Sequence, residues 1–146
     1  MKPKNPNFKE RLQKLFDGVP FVSDVGIKFE DCGPGWCETS IDILQKHLQQ
    51  DQFIHAGVQA TMADHTAGGA AGTIIGENEF ILTVEFKINL LRPAVGDRLS
   101  CKAKVIRPGN KLIVVESEVF SNYSNSEKLV SKATVTLMVL NKEEKV

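Results

Sequence analysis

The segment Phe53-Ile-His-Ala-Gly-Val-Gln-Ala-Thr-Met-Ala-Asp-His-Thr-Ala-Gly-Gly-Ala-Ala-Gly-Thr-Ile-Ile-Gly76 decides how the rest of the chain is read. It is the one long stretch of helical type in a sequence otherwise patterned as strands. From Ala56 to Gly76, eleven of twenty-one residues are Ala or Gly, so the predicted helix presents backbone rather than bulk. Gly68, Gly69 and Gly72 each lower helix propensity by about 1 kcal/mol relative to Ala. A helix carries that burden where something approaches closely, and a sheet wrapped around it is the simplest such neighbour. Asp64 stands in the middle of this surface, with Ala60, Thr61, Ala67 and Gly68 one turn away and no basic partner among them. An unpaired carboxylate is expensive to bury, which makes Asp64 the chemical focus.

Upstream, Phe8, Leu12, Leu15 and Phe16 recur at helical spacing and Gly18 follows, which predicts a short amphipathic helix over residues 5–17. Residues 21–31 read as extended. Gly33-Pro-Gly35 reads as the turn of a hairpin whose second strand covers residues 36–43, with Cys37, Thr39, Ile41 and Ile43 on one face. The polar run 46–52 reads as a loop leading into the helix. Downstream the period changes to two: Phe80, Leu82, Val84, Phe86, Ile88 and Leu90 alternate with Thr83, Glu85, Lys87 and Asn89. This predicts a long strand with one buried face, ended by Pro93. Three more strands are expected around residues 99–105, 112–120 and 129–139, separated by turns at 107–111 and 122–126. Short turns make the four closing strands neighbours in an antiparallel meander. The charged tail Lys142-Glu-Glu-Lys145 is expected to fray. A single antiparallel sheet curved around one Gly/Ala-rich helix is an α+β arrangement.

The 146 residues predict one domain over 1–146, long enough to bury roughly 70% of its unfolded surface. A formal net charge of zero, with 25% charged and 42% hydrophobic residues, is ordinary globular composition and argues against a nucleic-acid partner or disorder. Cys32, Cys37 and Cys101 are an odd count without zinc-like spacing and read as reduced thiols of a cytoplasmic protein. Met-Lys-Pro-Lys-Asn-Pro-Asn7 lacks the apolar core of a signal peptide. Gln59, Asp64 and His65 speak against a membrane span for the long helix. Three histidines without ligand spacing predict no metal site, and no cofactor is expected. The chain lacks the Gly-x-Ser-x-Gly elbow of serine hydrolases.

Two motifs carry a resemblance that covers residues 19–140. His55-Ala-Gly-Val-x-Ala-x-Met-Ala-Asp64 is similar to the His-Gly-Gly-(x)6-Asp pattern of hotdog-fold thioesterases of the PaaI (phenylacetate-degradation) type, within the 4-hydroxybenzoyl-CoA thioesterase superfamily. Thr83-Val-Glu-Phe-Lys-Ile-Asn-Leu-Leu-Arg-Pro-Ala94 resembles the strand that follows the helix in that family. Ala56 replaces the first glycine of the pattern, where the family uses a backbone N–H that alanine keeps. Gln49 stands where many members carry Asn six residues before the His, with Gln50 and Gln52 as rivals for that place. The resemblance implies a hotdog fold, acyl-CoA as substrate, sites at a homodimer interface, and dimers that often pair into homotetramers. It also implies that Thr83 supplies a hydroxyl steadying Asp64 or a water.

The residues support such chemistry directly. The helix start at Ala56-Gly57 offers N–H groups and the positive end of a macrodipole, suited to a carbonyl oxygen on which charge develops. Asp64 is the candidate base or nucleophile. His55 reads as fixing the loop into the helix, and is otherwise the general acid–base candidate. His65 points about 100° away from Asp64 along the helix, so no dyad with it is expected; His47 is expected at the surface. Ala56 or Gly57 lies about 10–12 Å from Asp64 along one helix, too far for both to meet one thioester carbon. Two antiparallel helices related by a two-fold axis remove the difficulty, with Asp64 of one subunit facing the helix start of the other.

For the phosphates of CoA, Arg92, Arg107 and the turn Gly109-Asn-Lys111 are the candidates. Arg98, Lys102 and Lys104 complete a segment of six bases against Asp97, and the turn offers backbone N–H groups as an anion cradle. Two other classes of function compete with acyl-CoA hydrolysis: an enoyl-CoA hydratase on the same fold, and a non-catalytic acyl-CoA-binding domain. Thiol release that depends on Asp64 marks the hydrolase, turnover of an enoyl-CoA marks the hydratase, and saturable binding without thiol release marks the binding domain.

Overall fold

The computed structural model describes residues 1–144. Its main elements are α1 (Phe8–Gly18), α2 (Pro20–Val25), β1 (Lys28–Gly33), β2 (Trp36–Asp42), α3 (Ala56–Gly72), β3 (Glu79–Leu90), β4 (Arg98–Pro108), β5 (Leu112–Tyr123) and β6 (Ser126–Asn141). The six strands form one antiparallel sheet in the order β1-β2-β4-β5-β6-β3. It curves around α3, which touches every strand. Among the described residues no helix is long and apolar enough to cross a membrane.

Small residues let the helix sink into the sheet. Met62, Ala63, Ala67, Ala70 and Ala71 are buried against strand residues such as Cys37, Ile41, Leu99, Val115 and Leu137. A Cβ on Gly69 would lie 2.6 Å from Cys37 Sγ and 3.3 Å from the Phe16 ring, and one on Gly72 would lie 2.9 Å from Leu12 Cδ2. Close approach on two sides leaves no room for a side chain at Gly69, while at Gly72 the end of the Leu12 side chain would have to move. Buried hydroxyls pin the helix in place: Ser117 Oγ donates to the Ala63 carbonyl at 2.8 Å, and the Thr39 and Thr66 hydroxyls meet at 2.7 Å. Left unpaired in this interior, such groups would each be destabilising by about 1–3 kcal/mol.

Three expectations are corrected. Residues 21–31 are not all extended, because Pro20 opens α2 at its first position and Gly26, at φ 99°, closes it. Proline before and glycine after a short run is a helix signature, and it overrides the strand-like composition between them. The meander holds for β4, β5 and β6 only. β3 pairs with β6 on the far side, and the connection containing Pro93 and Gly96 crosses past the start of α3, where Ile54 N–H donates to the Ala94 carbonyl at 2.9 Å. β4 is thereby inserted between β2 and β5.

The third correction concerns the buried face of β3. Directly paired residues share a face, and Ala133, Val135 and Leu137 of β6 all point into the core. Their partners are Ile88, Phe86 and Thr83, with an irregularity between Thr83 and Glu85. The extra residue at this bulge switches the alternation, so Thr83 and Phe86 face the helix side together. Leu82 points outward and is 52% exposed. In the charged tail, Lys142–Glu144 forms a 3-10 turn; Lys145 lies outside the described residues.

Candidate active site

α1 covers only part of α3. Leu12 and Phe16 lie over Gly72 and Gly69, and the Phe16 ring meets His65 edge-on at 4.5 Å. Towards the N-terminus, Ala56 and Gly57 are exposed and Ala60, Thr61 and Asp64 are half-buried. One face of α3 therefore changes from covered to open at Asp64.

The Thr83 hydroxyl donates to Asp64 Oδ1 at 2.8 Å. This brings together the carboxylate on the helix and the hydroxyl on β3, and it depends on the bulge that turns Thr83 inward. It is the one side-chain hydrogen bond of Asp64 among the described residues, and no ion pair competes for the carboxylate there. Both residues line a cavity of about 460 Å³. Its walls are mainly apolar, with Leu12, Leu15 and Phe16 from α1, Ile81 from β3 and Leu137 from β6. Gly68, Gly69 and Gly72 form its helix side, and Arg11 and Lys142 stand at its border. The volume lies within the usual range for small-molecule pockets, about 300–1,000 Å³.

His65 belongs to this wall as well. Adjacent helix positions do diverge, but the cavity is wide enough to border both residues. Burial holds the imidazole below its ordinary pKa of 6.5, opposed in part by the charge of Asp64. Its Nε2 is buried without a hydrogen-bond partner. The sequence signal available for this role was the ring's contact with the α1 stripe, which requires knowing that α1 packs on α3. The same limit hid Leu12, Leu15 and Phe16 as cavity walls.

At the helix start, His55 is the N-cap, and its Nδ1 accepts the Gly57 N–H at 2.8 Å. Nδ1 as acceptor places the proton of the neutral ring on Nε2. The expectation of two free amides is corrected: Gly57 N–H is engaged, while no acceptor meets Ala56 N–H among the described residues. The loop before the helix folds back through a Leu48–Ile54 bridge. Gln49 sits in it, half-buried, and its Oε1 accepts the Asp51 N–H at 2.6 Å. Gln50 and Gln52 are exposed. His47 is not at the surface: it is buried, receives the Leu44 N–H on Nδ1 at 2.9 Å, and bonds the Val25 carbonyl through Nε2 at 2.6 Å. It is a strut between α2 and the loop.

The candidate phosphate-binding residues do not form one cluster in the chain. Arg92 lies in the crossover beside the helix start and donates to the Leu129 carbonyl at 2.8 Å. Gly109 and Asn110 share a small cavity with Ile74 and Ile75 beyond the opposite end of α3, with Arg107 and Lys111 exposed beside them. The basic excess is also smaller than its segment implies. Arg98 pairs with Glu30 at 2.7 Å and Asp42 at 3.4 Å, and Lys102 reaches Glu127 at 3.8 Å. Those acids come from distant parts of the chain. Among the described residues no group of three or more His, Cys, Asp or Glu is placed to hold a metal ion.

Comparison with known proteins identifies the family and the fold. The profile of the thioesterase superfamily matches residues 51–125, which hold Asp64, the helix start and Thr83. A thioesterase family protein of Silicibacter pomeroyi has a solved structure with a TM-score of 0.88 and 32% identity, over 90% of this chain and 97% of that one. The medium/long-chain acyl-CoA thioesterase YigI of Salmonella typhimurium is 27% identical, over 83% of this chain and 86% of its own. The PaaI protein of the Escherichia coli phenylacetic acid degradation operon, at 18% identity, shares the fold with a TM-score of 0.81 over 90% of this chain and 92% of that one. Helix, sheet and matched segment lead to one conclusion: the chain belongs to the thioesterase superfamily and is a thioester hydrolase with a hotdog fold.

Proposed function

We propose that the chain hydrolyses acyl-CoA to a free acid and CoA at a site completed by a second copy of itself. The observation that carries this reading is Asp64, unpaired by any cation among the described residues and held by Thr83 at the mouth of an apolar cavity. The acyl group enters that cavity and its thioester carbonyl rests beside Asp64. The carboxylate either takes a proton from water as the C–O bond forms or attacks the carbonyl carbon itself. In the first route the C–S bond then breaks and the proton held by Asp64 passes to the sulfur, so CoA leaves as the thiol. In the second the C–S bond breaks as an acyl–Asp64 anhydride forms. Water hydrolyses that anhydride to the free acid and the restored carboxylate, while the water's proton goes to the CoA sulfur. Charge on the carbonyl oxygen is met by the N–H of the partner subunit's Ala56 at the positive end of its helix. Gln49 orients the group at that helix start, and His55 sets its geometry.

Three features support the two-fold arrangement. Ala56 and Asp64 of one chain are about 12 Å apart along α3. The open half of α3 carries Gly57, Ala60 and Thr61, which let a second helix approach closely. β3 is an edge strand of twelve residues on which Leu82, Val84, Phe86 and Leu90 are exposed, and such an edge pairs with another chain unless it is blunted. The apolar row Leu112, Met138 and Leu82, paired across the outer face, is where we place the further pairing of dimers into tetramers. Arg92, Arg107 and the 109–111 turn are assigned to CoA as two separate contacts, at opposite ends of the helix.

Asp64→Asn tests the proposal. Thiol release from an acyl-CoA is expected to fall by about 10²–10⁴-fold, with binding of a CoA thioether analogue retained. Turnover at the wild-type rate would overturn the assignment of Asp64. Saturable binding without thiol release by the wild type would overturn acyl-CoA hydrolysis.

A further inference from the structure

Three glycines of α3 border the cavity, but the sheet and α1 explain only two of them. Gly69 is hemmed in by Cys37 and Phe16, and a Cβ on Gly72 would press on the end of the Leu12 side chain. A Cβ on Gly68 would meet nothing nearer than Ile81 Cδ1 at 4.0 Å. Packing tolerates alanine there, and alanine is the better helix former. Gly68 lies four residues after Asp64, on the same face of the helix and one turn deeper along the cavity. What its missing side chain provides is empty volume directly behind the carboxylate.

We infer that Gly68 sets how long an acyl chain the site accepts, and that the preferred substrates are thioesters of extended, unbranched acyl groups. The chain leaves the carbonyl beside Asp64, passes over Gly68, and runs between α1 and Ile81 toward Gly72 and Ile75. Gly72 lies about 12 Å along the helix from Asp64, Ile75 follows just past the helix end, and both border the cavity. Leu12, Leu15, Ile75, Ile81 and Leu137 give that path aliphatic surface, which suits a polymethylene chain. This inference rests on the proposed hydrolase site for the position of the carbonyl, and its test separates the two.

The test measures binding and turnover across saturated chains of graded length, using S-alkyl-CoA thioethers for affinity and the matching acyl-CoAs for thiol release. In the wild type, affinity is expected to rise about four-fold per methylene until the cavity is filled. In Gly68→Leu the rise stops at a shorter chain, and the ratio of long-chain to short-chain kcat/KM falls at least ten-fold. Gly68→Ala, which the structure accommodates, shifts the same cut-off less and raises Tm by a few degrees. A Gly68→Leu protein of wild-type Tm with an unchanged length profile would overturn the inference, as would an equal loss at every length. If the wild type releases no thiol but Gly68→Leu still shortens the affinity series, this inference stands and the hydrolase proposal falls.

Discussion

Changing Thr83 to valine removes the hydroxyl that holds Asp64 and puts a methyl of similar size in its place. The position is in β3, where a β-branched apolar residue is welcome, so Tm is expected to hold or rise slightly. A hydrogen bond to a charged group contributes about 1.5–3 kcal/mol. If that bond fixes the carboxylate in the transition state, its loss lowers kcat by roughly ten- to hundred-and-fifty-fold. The environment chooses where in this range the effect falls. Thr83 is exposed in the single chain, and a solvated hydroxyl is readily replaced by water, which would keep the effect below about ten-fold. A second subunit packed over the site excludes that water and moves the effect to the upper part of the range. Steady-state thiol release by the wild type, Thr83→Val and Thr83→Ser measures the difference. Serine keeps the donor and is expected to stay within a few-fold of wild type. Thr83→Val at the wild-type kcat would refute the role given to this bond, as would serine losing as much as valine.

Three further outcomes follow from the geometry. His65 is held neutral by burial, so the unfolded chain binds its proton more readily than the folded one. Its contribution to stability is therefore present above the ordinary pKa of 6.5 and is lost as pH falls below it; Tm measured from pH 7 to 5 should decline, less steeply in His65→Leu. Gly69→Ala forces a Cβ to 2.6 Å from Cys37 Sγ, and overpacking of this kind is destabilising by about 1–3 kcal/mol, visible as a lower midpoint in chemical denaturation, opposite in sign to Gly68→Ala. Val84→Lys places a charge on the exposed β3 edge; sedimentation should show dissociation to monomers, with activity falling in parallel.

The long helix was legible because its composition is so unlike its surroundings, and the strands that follow because their alternation is regular. What the alternation could not reveal is the bulge at Thr83. A strict period of two put Thr83 opposite the apolar face, whereas its bond to Asp64 needs it toward the helix, and only one extra residue in the ladder satisfies both. The place of β3 beside β6 was hidden for a related reason: turn length predicts a neighbour in the chain, not the crossover that inserts β4 between β2 and β5. His47 looked like a surface residue in a polar loop, since Val25, its partner in space, is distant in sequence. The basic segment looked uncompensated because Glu30, Asp42 and Glu127 lie outside it. The contact of Thr83 with Asp64 was legible from motif and chemistry together; the engaged state of Gly57 N–H required the orientation of the His55 ring.

Whether one active site draws on two chains is settled most directly by mixing two inactive variants. Asp64→Asn removes the carboxylate, and Ala56→Pro removes the amide hydrogen without disturbing the helix. Proline suits the first helical position, and His55 before it already has φ −59° and ψ 139°, the conformation a residue preceding proline prefers. Each variant alone is expected to be nearly inactive. In a mixed dimer one site carries both lesions and the other carries neither, so random exchange of subunits should restore about a quarter of wild-type activity. Mixed dimers, verified by tagged subunits, that remain inactive would contradict a shared site.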